Sequence, residues 1–360
     1  MKPTEQLHAA GQSLWLDNIT RGMLRSGELA SYLEVYTITG LTSNPSIFEK
    51  AFTGTSDYDD ALDAGAAAGR RGEELFFDLA VDDLSGAADV FADVHRETDG
   101  VDGWVSLEVS PLLAYDPVST VREAVELHAR ADRPNVFIKI PGTPAGLPAI
   151  EEAIFRGIPI NVTLLFSVED YLAAADAYLS GIERRIAAGL DPKVGSVASI
   201  FMSRWDTAIA ESAPAELCGR LALAIGEQAY RASCELRASD RFQRVQAAGA
   251  HAQRLLFAST SAKDPSARDT MYVEGLAAPD TINTMPDATL KAFADHGVLG
   301  AMLPADGGDS AAVLAAFADA GIDVAAVGRT LQIDGAASFV TAWNGLLAVV
   351  EQKTTAADRS

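Results

Sequence analysis

The chain has 360 residues, 48% of them hydrophobic and 22% charged, with a formal net charge of −22 at pH 7. That composition supports a sizeable packed core and excludes a disordered chain, while the acidic balance argues against nucleic acid and anionic membranes as partners. Cys218 and Cys234, both in helix-like sequence, give no disulfide framework and fit a reducing cytoplasm. The first residues carry no apolar signal core, and no apolar run approaches the roughly 20 residues that span a bilayer. A soluble cytoplasmic protein is expected, and any anionic ligand would need a locally basic pocket.

In chain order, Ser13-Leu14-Trp15-Leu16-Asp17 reads as a strand ending in a carboxylate. A helical stretch over residues 21–33 leads to a second strand over 36–41, then to Thr42-Ser43-Asn44-Pro45-Ser46. Asn44 precedes a proline and is biased towards extended backbone, and Ser46 is placed to cap the next helix. Residues 55–97 carry apolar side chains at helical spacing, a strand is expected over 103–109, and a helix follows over 117–131. Val136-Phe137-Ile138-Lys139-Ile140, bounded by Pro134 and Pro141-Gly142, reads as a fully buried parallel strand. After a helix over 147–156 comes a strand over 157–163. Ser167 is then an N-cap with Asp170 at the N3 position, opening a helix to about residue 188. Further strands are expected over 193–199 and 254–259, separated by Ala-rich helical segments over most of 203–250. An eighth strand is placed near residues 271–275, and helices continue to residue 353 before a frayed tail over 354–360.

Strand alternating with helix about eight times predicts a parallel sheet covered by helices. No internal repeat, low-complexity tract or linker marks a domain boundary, so residues 1–353 are expected to form one unit. Asp17, Asn44, Glu108, Asn161 with Thr163, Ser199 and Ser259 all fall at the C-terminal ends of strands. A (β/α)₈ barrel collects functional groups at that face from many strands, whereas an open sheet gathers them at one switch point. The α/β fold expected is therefore a single-domain (β/α)₈ TIM barrel with extra helices.

Lys139 is the only one of seven lysines inside an apolar strand-like run. Desolvation disfavours an ammonium ion, so a buried lysine can serve as an amine nucleophile that forms Schiff bases with carbonyls. The competing reading is a lysine guarding an exposed edge strand. Residues of equal parity share a strand face, which pairs Asn161 with Thr163 and Ser106 with Glu108. If Lys139 faces the interior, Asp17 and Glu108 become candidates for proton transfer, and Asn44, Asn161 and Ser199 candidates for binding a polyhydroxylated ligand. A strand-end Asp or Asn can equally be a cap or turn residue, and Lys139 with Glu108 can equally be a structural ion pair. The five histidines are scattered without zinc spacing, and no nucleotide-binding glycine fingerprint or nucleophile elbow occurs. Amine chemistry without metal or cofactor is what remains.

Leu14-Trp15-Leu16-Asp17-Asn18-Ile19, Thr42-Ser43-Asn44-Pro45-Ser46-Ile47-Phe48, Val105-Ser106-Leu107-Glu108-Val109, Phe137-Ile138-Lys139-Ile140-Pro141 and Ile160-Asn161-Val162-Thr163-Leu164-Leu165-Phe166-Ser167 together resemble transaldolases, in order and over nearly the whole chain. Phe257-Ala258-Ser259-Thr260-Ser261-Ala262-Lys263 and Asn283-Thr284-Met285-Pro286 are most similar to the longer bacterial subclass. The resemblance implies a circularly permuted (β/α)₈ barrel that moves a dihydroxyacetone unit between sugar phosphates through a lysine Schiff base. It implies that Lys139 is the Schiff-base lysine and that Asp17 exchanges a proton with the ketose C4 hydroxyl. Glu108 with Thr163 would position the water of imine chemistry, while Asn44, Asn161 and Ser199 hold the dihydroxyacetone hydroxyls. Arg204 and Ser259 match phosphate-contacting positions. Where shorter members carry an arginine two residues after that serine, this chain has Ser261, and Lys263 two further on is the expected replacement. An aldolase releasing free dihydroxyacetone, and a silent sugar-phosphate-binding barrel, share the same expected fold.

Overall fold

The computed structural model describes residues 1–357. Eight parallel strands close on themselves in sequence order: β1 (Ser13–Asp17), β2 (Ile38–Thr42), β3 (Val105–Glu108), β4 (Val136–Pro141), β5 (Ile160–Leu165), β6 (Ser196–Phe201), β7 (Arg254–Ala258) and β8 (Ile282–Met285). β1 pairs with β8 as well as β2, and Trp15 lies opposite Thr284 at the closing seam. This is the expected (β/α)₈ barrel. Every residue of β4, β5 and β6 is buried, because helices cover the outer face while side chains fill the interior. The interior near the strand starts is filled by aromatic rings. Phe137 stacks on Trp104 with ring centroids 4.0 Å apart and also approaches Trp15.

Four local expectations are corrected. Residues 271–275 form a one-turn helix, Met271–Gly275, not a strand. Val273 and Glu274 donate their N–H groups back to the Thr270 carbonyl, so the buried Tyr272-Val273 pair sits on a helical turn. The eighth strand is Ile282–Met285, concealed in the sequence by its polar Asn283 and Thr284. Asn44, not Ser46, caps the helix Pro45–Gly54; its side-chain oxygen accepts from the Ile47 N–H at 3.2 Å, and Pro45 opens the first turn. The single helix expected over 21–33 is two, Arg21–Ser26 and Glu28–Tyr36, divided by Gly27 at φ 77°. Cys218 lies just after a short 3₁₀ turn and not in a helix, whereas Cys234 is helical; both thiols are free. The Ser167 cap forms as expected, with Asp170 returning the bond.

The last described element is the 34-residue helix Val324–Ala357. It continues past residue 354, whose side chain is fully buried, and residues 358–360 of the expected tail lie outside the described residues. By length and composition its stretch Val324–Thr355 could cross a membrane, a feature the reading of apolar runs passes over. Its buried residues Ala336, Phe339, Trp343, Leu346 and Val350 recur every three or four positions, the stripe of a helix docked on protein. Trp343 meets Phe76 edge-on at 5.1 Å, seating the second half of this helix on helix Gly72–Val90. The first half lies over the C-terminal ends of the strands, where Gln332 donates to the carbonyls of Gly142 and Leu164.

Candidate active site

β3, β4 and β5 lie in register so that Glu108 faces Lys139 and Lys139 faces Asn161. Paired positions on adjacent parallel strands point to the same face of the sheet, so these three side chains share the barrel interior. Lys139 and Glu108 are 4% and 5% exposed, deep enough that their charges are weakly screened. The Lys139 ammonium donates to the Ser43 carbonyl at 3.1 Å and lies 3.6 Å from Glu108 Oε2. Lys139 therefore belongs to the interior of a closed barrel and not to an edge strand.

Hydrogen bonds tie the remaining groups together around them. Asn161 Nδ2 donates to Ser106 Oγ at 3.0 Å, and its Oδ1 accepts from Ser199 at 2.7 Å. Ser43 Oγ donates to the Ser106 carbonyl, so the loop that carries Asn44 is pinned beside β3. Asp17, at the end of β1, accepts from Thr42 Oγ1 at 2.7 Å. Thr42 also meets Thr284 Oγ1 at 2.7 Å. Each hydroxyl has one proton, so the proton spent on Asp17 leaves Thr284 as the donor to Thr42. Sequence reasoning missed Thr42 and Thr284, although both sit at strand ends; Thr284 belongs to the strand misplaced above.

Burial raises the Asp17 carboxyl above its ordinary value, with the Lys139 charge and the Thr42 hydrogen bond opposing the shift. Glu108 is pushed up to about 7 by burial, against the attraction of Lys139 and with a small push from Asp17. Both Glu108 side-chain oxygens, and Thr163 Oγ1, are buried without a hydrogen-bond partner in the protein. Buried polar atoms of this kind are costly unless something else meets them. They can receive a substrate or a water in the reaction.

The phosphate candidates divide. Met202 and Ser203 donate to the Ala258 and Ser259 carbonyls, and the Ser203 and Ser259 hydroxyls meet at 2.9 Å. Arg204 follows Ser203 directly in the chain. Its guanidinium lies 5.2 Å from the Phe201 ring, and burial lowers its pKa. Lys263 is exposed and donates to Ser261 Oγ at 2.7 Å. Asn44 spends its carbonyl on the helix cap, leaving its amide N–H groups available.

The C-terminal helix supplies groups that strand-end reasoning could not find. Phe339 lies 6.0 Å from the Lys139 ammonium and 6.4 Å from the Phe201 ring. A Cβ at Gly335 would come within 3.3 Å of the Arg204 guanidinium, so glycine there permits the close approach. Some 200 residues separate Phe339 from Lys139, and no local spacing signals their contact. Among the described residues no group of three or more His, Cys, Asp or Glu side chains is arranged to hold a metal ion.

This cluster of amine, carboxylates and hydroxyls suits carbonyl addition followed by proton transfer to and from oxygen. Comparison with known proteins agrees. The family described as Transaldolase/Fructose-6-phosphate aldolase matches residues 14–350. A transaldolase of Saccharopolyspora erythraea is 44% identical over 356 residues, covering 97% of each chain. One of Parafrankia sp. is 42% identical over 361 residues, covering 98% of each. Transaldolase 1 of Streptomyces coelicolor is 44% identical over 355 residues, covering 96% of this chain and 93% of that one. A lysine-centred barrel matched over this extent is decisive: the chain belongs to the transaldolase/fructose-6-phosphate aldolase family.

Proposed function

We propose that this chain transfers a dihydroxyacetone unit from sedoheptulose 7-phosphate to glyceraldehyde 3-phosphate, giving erythrose 4-phosphate and fructose 6-phosphate. The observation that carries the reading is Lys139, a buried interior amine 3.6 Å from Glu108. In its neutral form it attacks the ketose carbonyl, and loss of water gives a protonated imine. Asp17 takes the proton of the C4 hydroxyl, the C3–C4 bond breaks, and its electron pair passes into the imine to leave an enamine. The aldose departs. The acceptor aldehyde is then attacked by the enamine carbon, Asp17 returns the proton to the new hydroxyl, and water hydrolyses the imine. Glu108 and Thr163, whose oxygens lack protein partners, handle the water lost and regained.

Asn44, Asn161 and Ser199 hold the dihydroxyacetone hydroxyls. Arg204 and Ser259 bind phosphate, with Lys263 adding a cation from the β7 loop against the net charge of −22. Each step uses substrate atoms and protein groups, without metal or cofactor. Residues 1–353 act as one barrel unit, and the C-terminal helix serves as its cover, not as a membrane anchor. The two free thiols suit a cytoplasmic location, and neither nucleic acid nor membrane is a partner.

Borohydride reduction in the presence of fructose 6-phosphate, followed by peptide mass mapping, tests this. A reduced three-carbon ketose unit on Lys139, with irreversible loss of activity, is expected. Label on another lysine, or no label, overturns the assignment. The family description also includes fructose-6-phosphate aldolases, which favours a second reading in which the three-carbon unit is released free. Product analysis with and without an acceptor aldose separates the two. Transfer that depends on acceptor is expected.

A further inference from the structure

The backbone of Leu164 has φ 59°, in the left-handed region where a side chain crowds its own carbonyl and which leucine rarely enters. The residue lies in a bulge. From Val162 to Leu165 β5 advances three residues, while β6 advances two, from Ala198 to Ile200. Thr163, just before it, is the last residue of β5 in register with β4, opposite Pro141. Beyond that point regular pairing no longer fixes the chain. Gly142, which follows Pro141, donates its N–H to the Thr163 carbonyl at 2.7 Å. Gln332, on the helix Val324–Ala357, bridges the two sides of this junction with one amide group. Its Nε2 donates to the Leu164 carbonyl at 3.1 Å and to the Gly142 carbonyl at 3.3 Å. Three residues on, a Cβ at Gly335 would come within 3.1 Å of Leu164 Cδ2, so glycine there lets the helix lie directly on that side chain.

A strained backbone persists only where its surroundings hold it, and such residues gather at functional sites. Here the holding group is remote, 168 positions along the chain from Leu164. Without it, Leu164 would relax towards ordinary strand conformation and the bulge would loosen. The bulge begins directly after Thr163, so its relaxation changes the direction of that residue first, and strand faces are swapped by a shift of a single residue. Gln332 also ties this junction to the end of β4, the strand that carries Lys139. We propose that Gln332 is a positioning residue for Thr163. By holding the Leu164 and Gly142 carbonyls it fixes the strained junction between β4 and β5, and with it the direction of the Thr163 hydroxyl. This rests on the role given above to Thr163, the handling of water as the imine forms and breaks.

Imine formation releases the ketose carbonyl oxygen as water, and hydrolysis returns an oxygen from solvent. Loss of ¹⁸O from C2 of fructose 6-phosphate, followed by mass spectrometry without an acceptor aldose, therefore reads this step. Gln332→Met removes both N–H donors from a partly buried side chain. It should slow exchange at saturating substrate about tenfold, with KM moving less than about twofold. Gln332→Glu, of the same shape but without N–H groups, should do the same should the first variant fold poorly. Glycine and asparagine both accept left-handed backbone, so Leu164→Gly, or Leu164→Asn where the glycine variant is unstable, removes the strain. In that background Gln332→Met should slow exchange by less than about threefold. An equal tenfold loss in both backgrounds, exchange unchanged by Gln332→Met, or a loss carried by KM overturns the proposal. Wild-type protein that neither exchanges ¹⁸O nor is labelled at Lys139 by borohydride overturns the transfer reading, and this one with it.

Discussion

Lys139 and Glu108 stand opposite one another on β4 and β3, with ammonium nitrogen and carboxyl oxygen 3.6 Å apart. That gap is too long for a hydrogen bond, and the ammonium bonds to Ser43 instead. A purely structural ion pair at this depth would be expected to close, since buried charges repay desolvation only with good geometry. Glu108 has no bonded partner and titrates at about 7, so near neutrality it can both take and give a proton. Glu108→Gln should lower kcat by about a hundredfold or more and erase a limb of the pH–rate profile near 7. A profile with that limb intact would assign it to another group.

The same shift makes a stability prediction. Glu108 holds its proton more tightly folded than unfolded, because its pKa rises from 4.5 to about 7. Its contribution is present in full below 4.5 and is lost as pH rises through about 7. Between pH 5 and 8 the wild type should therefore lose on the order of 3 kcal/mol that Glu108→Gln does not lose. Urea midpoints at the two pH values measure this, and parallel falls in both proteins would refute it.

Asp17 separates from Lys139 by step. Lys139→Met should abolish imine formation and turnover together. Asp17→Ala should still yield a trapped adduct with fructose 6-phosphate while releasing aldose about a hundredfold more slowly, because the base for the C4 hydroxyl is gone. Thr42→Val, which removes the hydroxyl bonded to Asp17, should slow the same step more mildly. Cleavage by Asp17→Ala at near wild-type rate would reduce Asp17 to a strand-end residue.

Much of this arrangement is legible in the sequence because a parallel barrel strand has a simple signature. Val136 to Pro141 is apolar throughout except for Lys139, and side-chain alternation groups Ser106 with Glu108 and Asn161 with Thr163. Strand existence and parity are local properties, so they survive errors of two or three residues at strand ends. β8 escapes because Asn283 and Thr284 are buried in the barrel by hydrogen bonds to Thr260 and Thr42, not by hydrophobicity. The Phe339–Lys139 approach escapes for another reason. It depends on where a distant helix docks, which no local pattern encodes.

Phosphate binding should rest more on Arg204 than on Lys263. Arg204 is partly buried near the Phe201 ring and can offer two parallel N–H donors, whereas Lys263 is exposed and screened. A charge-assisted hydrogen bond contributes about 1.5–3 kcal/mol, so Arg204→Met should lower kcat/KM for fructose 6-phosphate by roughly ten- to a hundredfold. Lys263→Met should cost about three- to tenfold. Both losses should shrink with unphosphorylated fructose, and labelling of Lys139 should persist. Equal losses on fructose and its phosphate would remove the residue concerned from the phosphate site.

Phe339 should decide how well the enamine is kept from water. Its ring lies 6.0 Å from the Lys139 nitrogen and beside Phe201, on a helix tied down by Gln332. An enamine must wait for its acceptor, and water that reaches it first protonates and hydrolyses it, so an apolar cover favours transfer. Phe339→Ala should raise acceptor-independent release of dihydroxyacetone from fructose 6-phosphate about tenfold, while transfer to an added aldose falls only a fewfold. Phe339→Leu separates the two things the ring can do. It keeps an apolar cover but loses the aromatic face that attracts a cation, an effect of about 0.5–2 kcal/mol. If exclusion of water is the function, Phe339→Leu should hold acceptor-independent release near wild type; release as fast as in Phe339→Ala would point to the ring's electrostatics, and no rise in either would leave this helix a purely structural support.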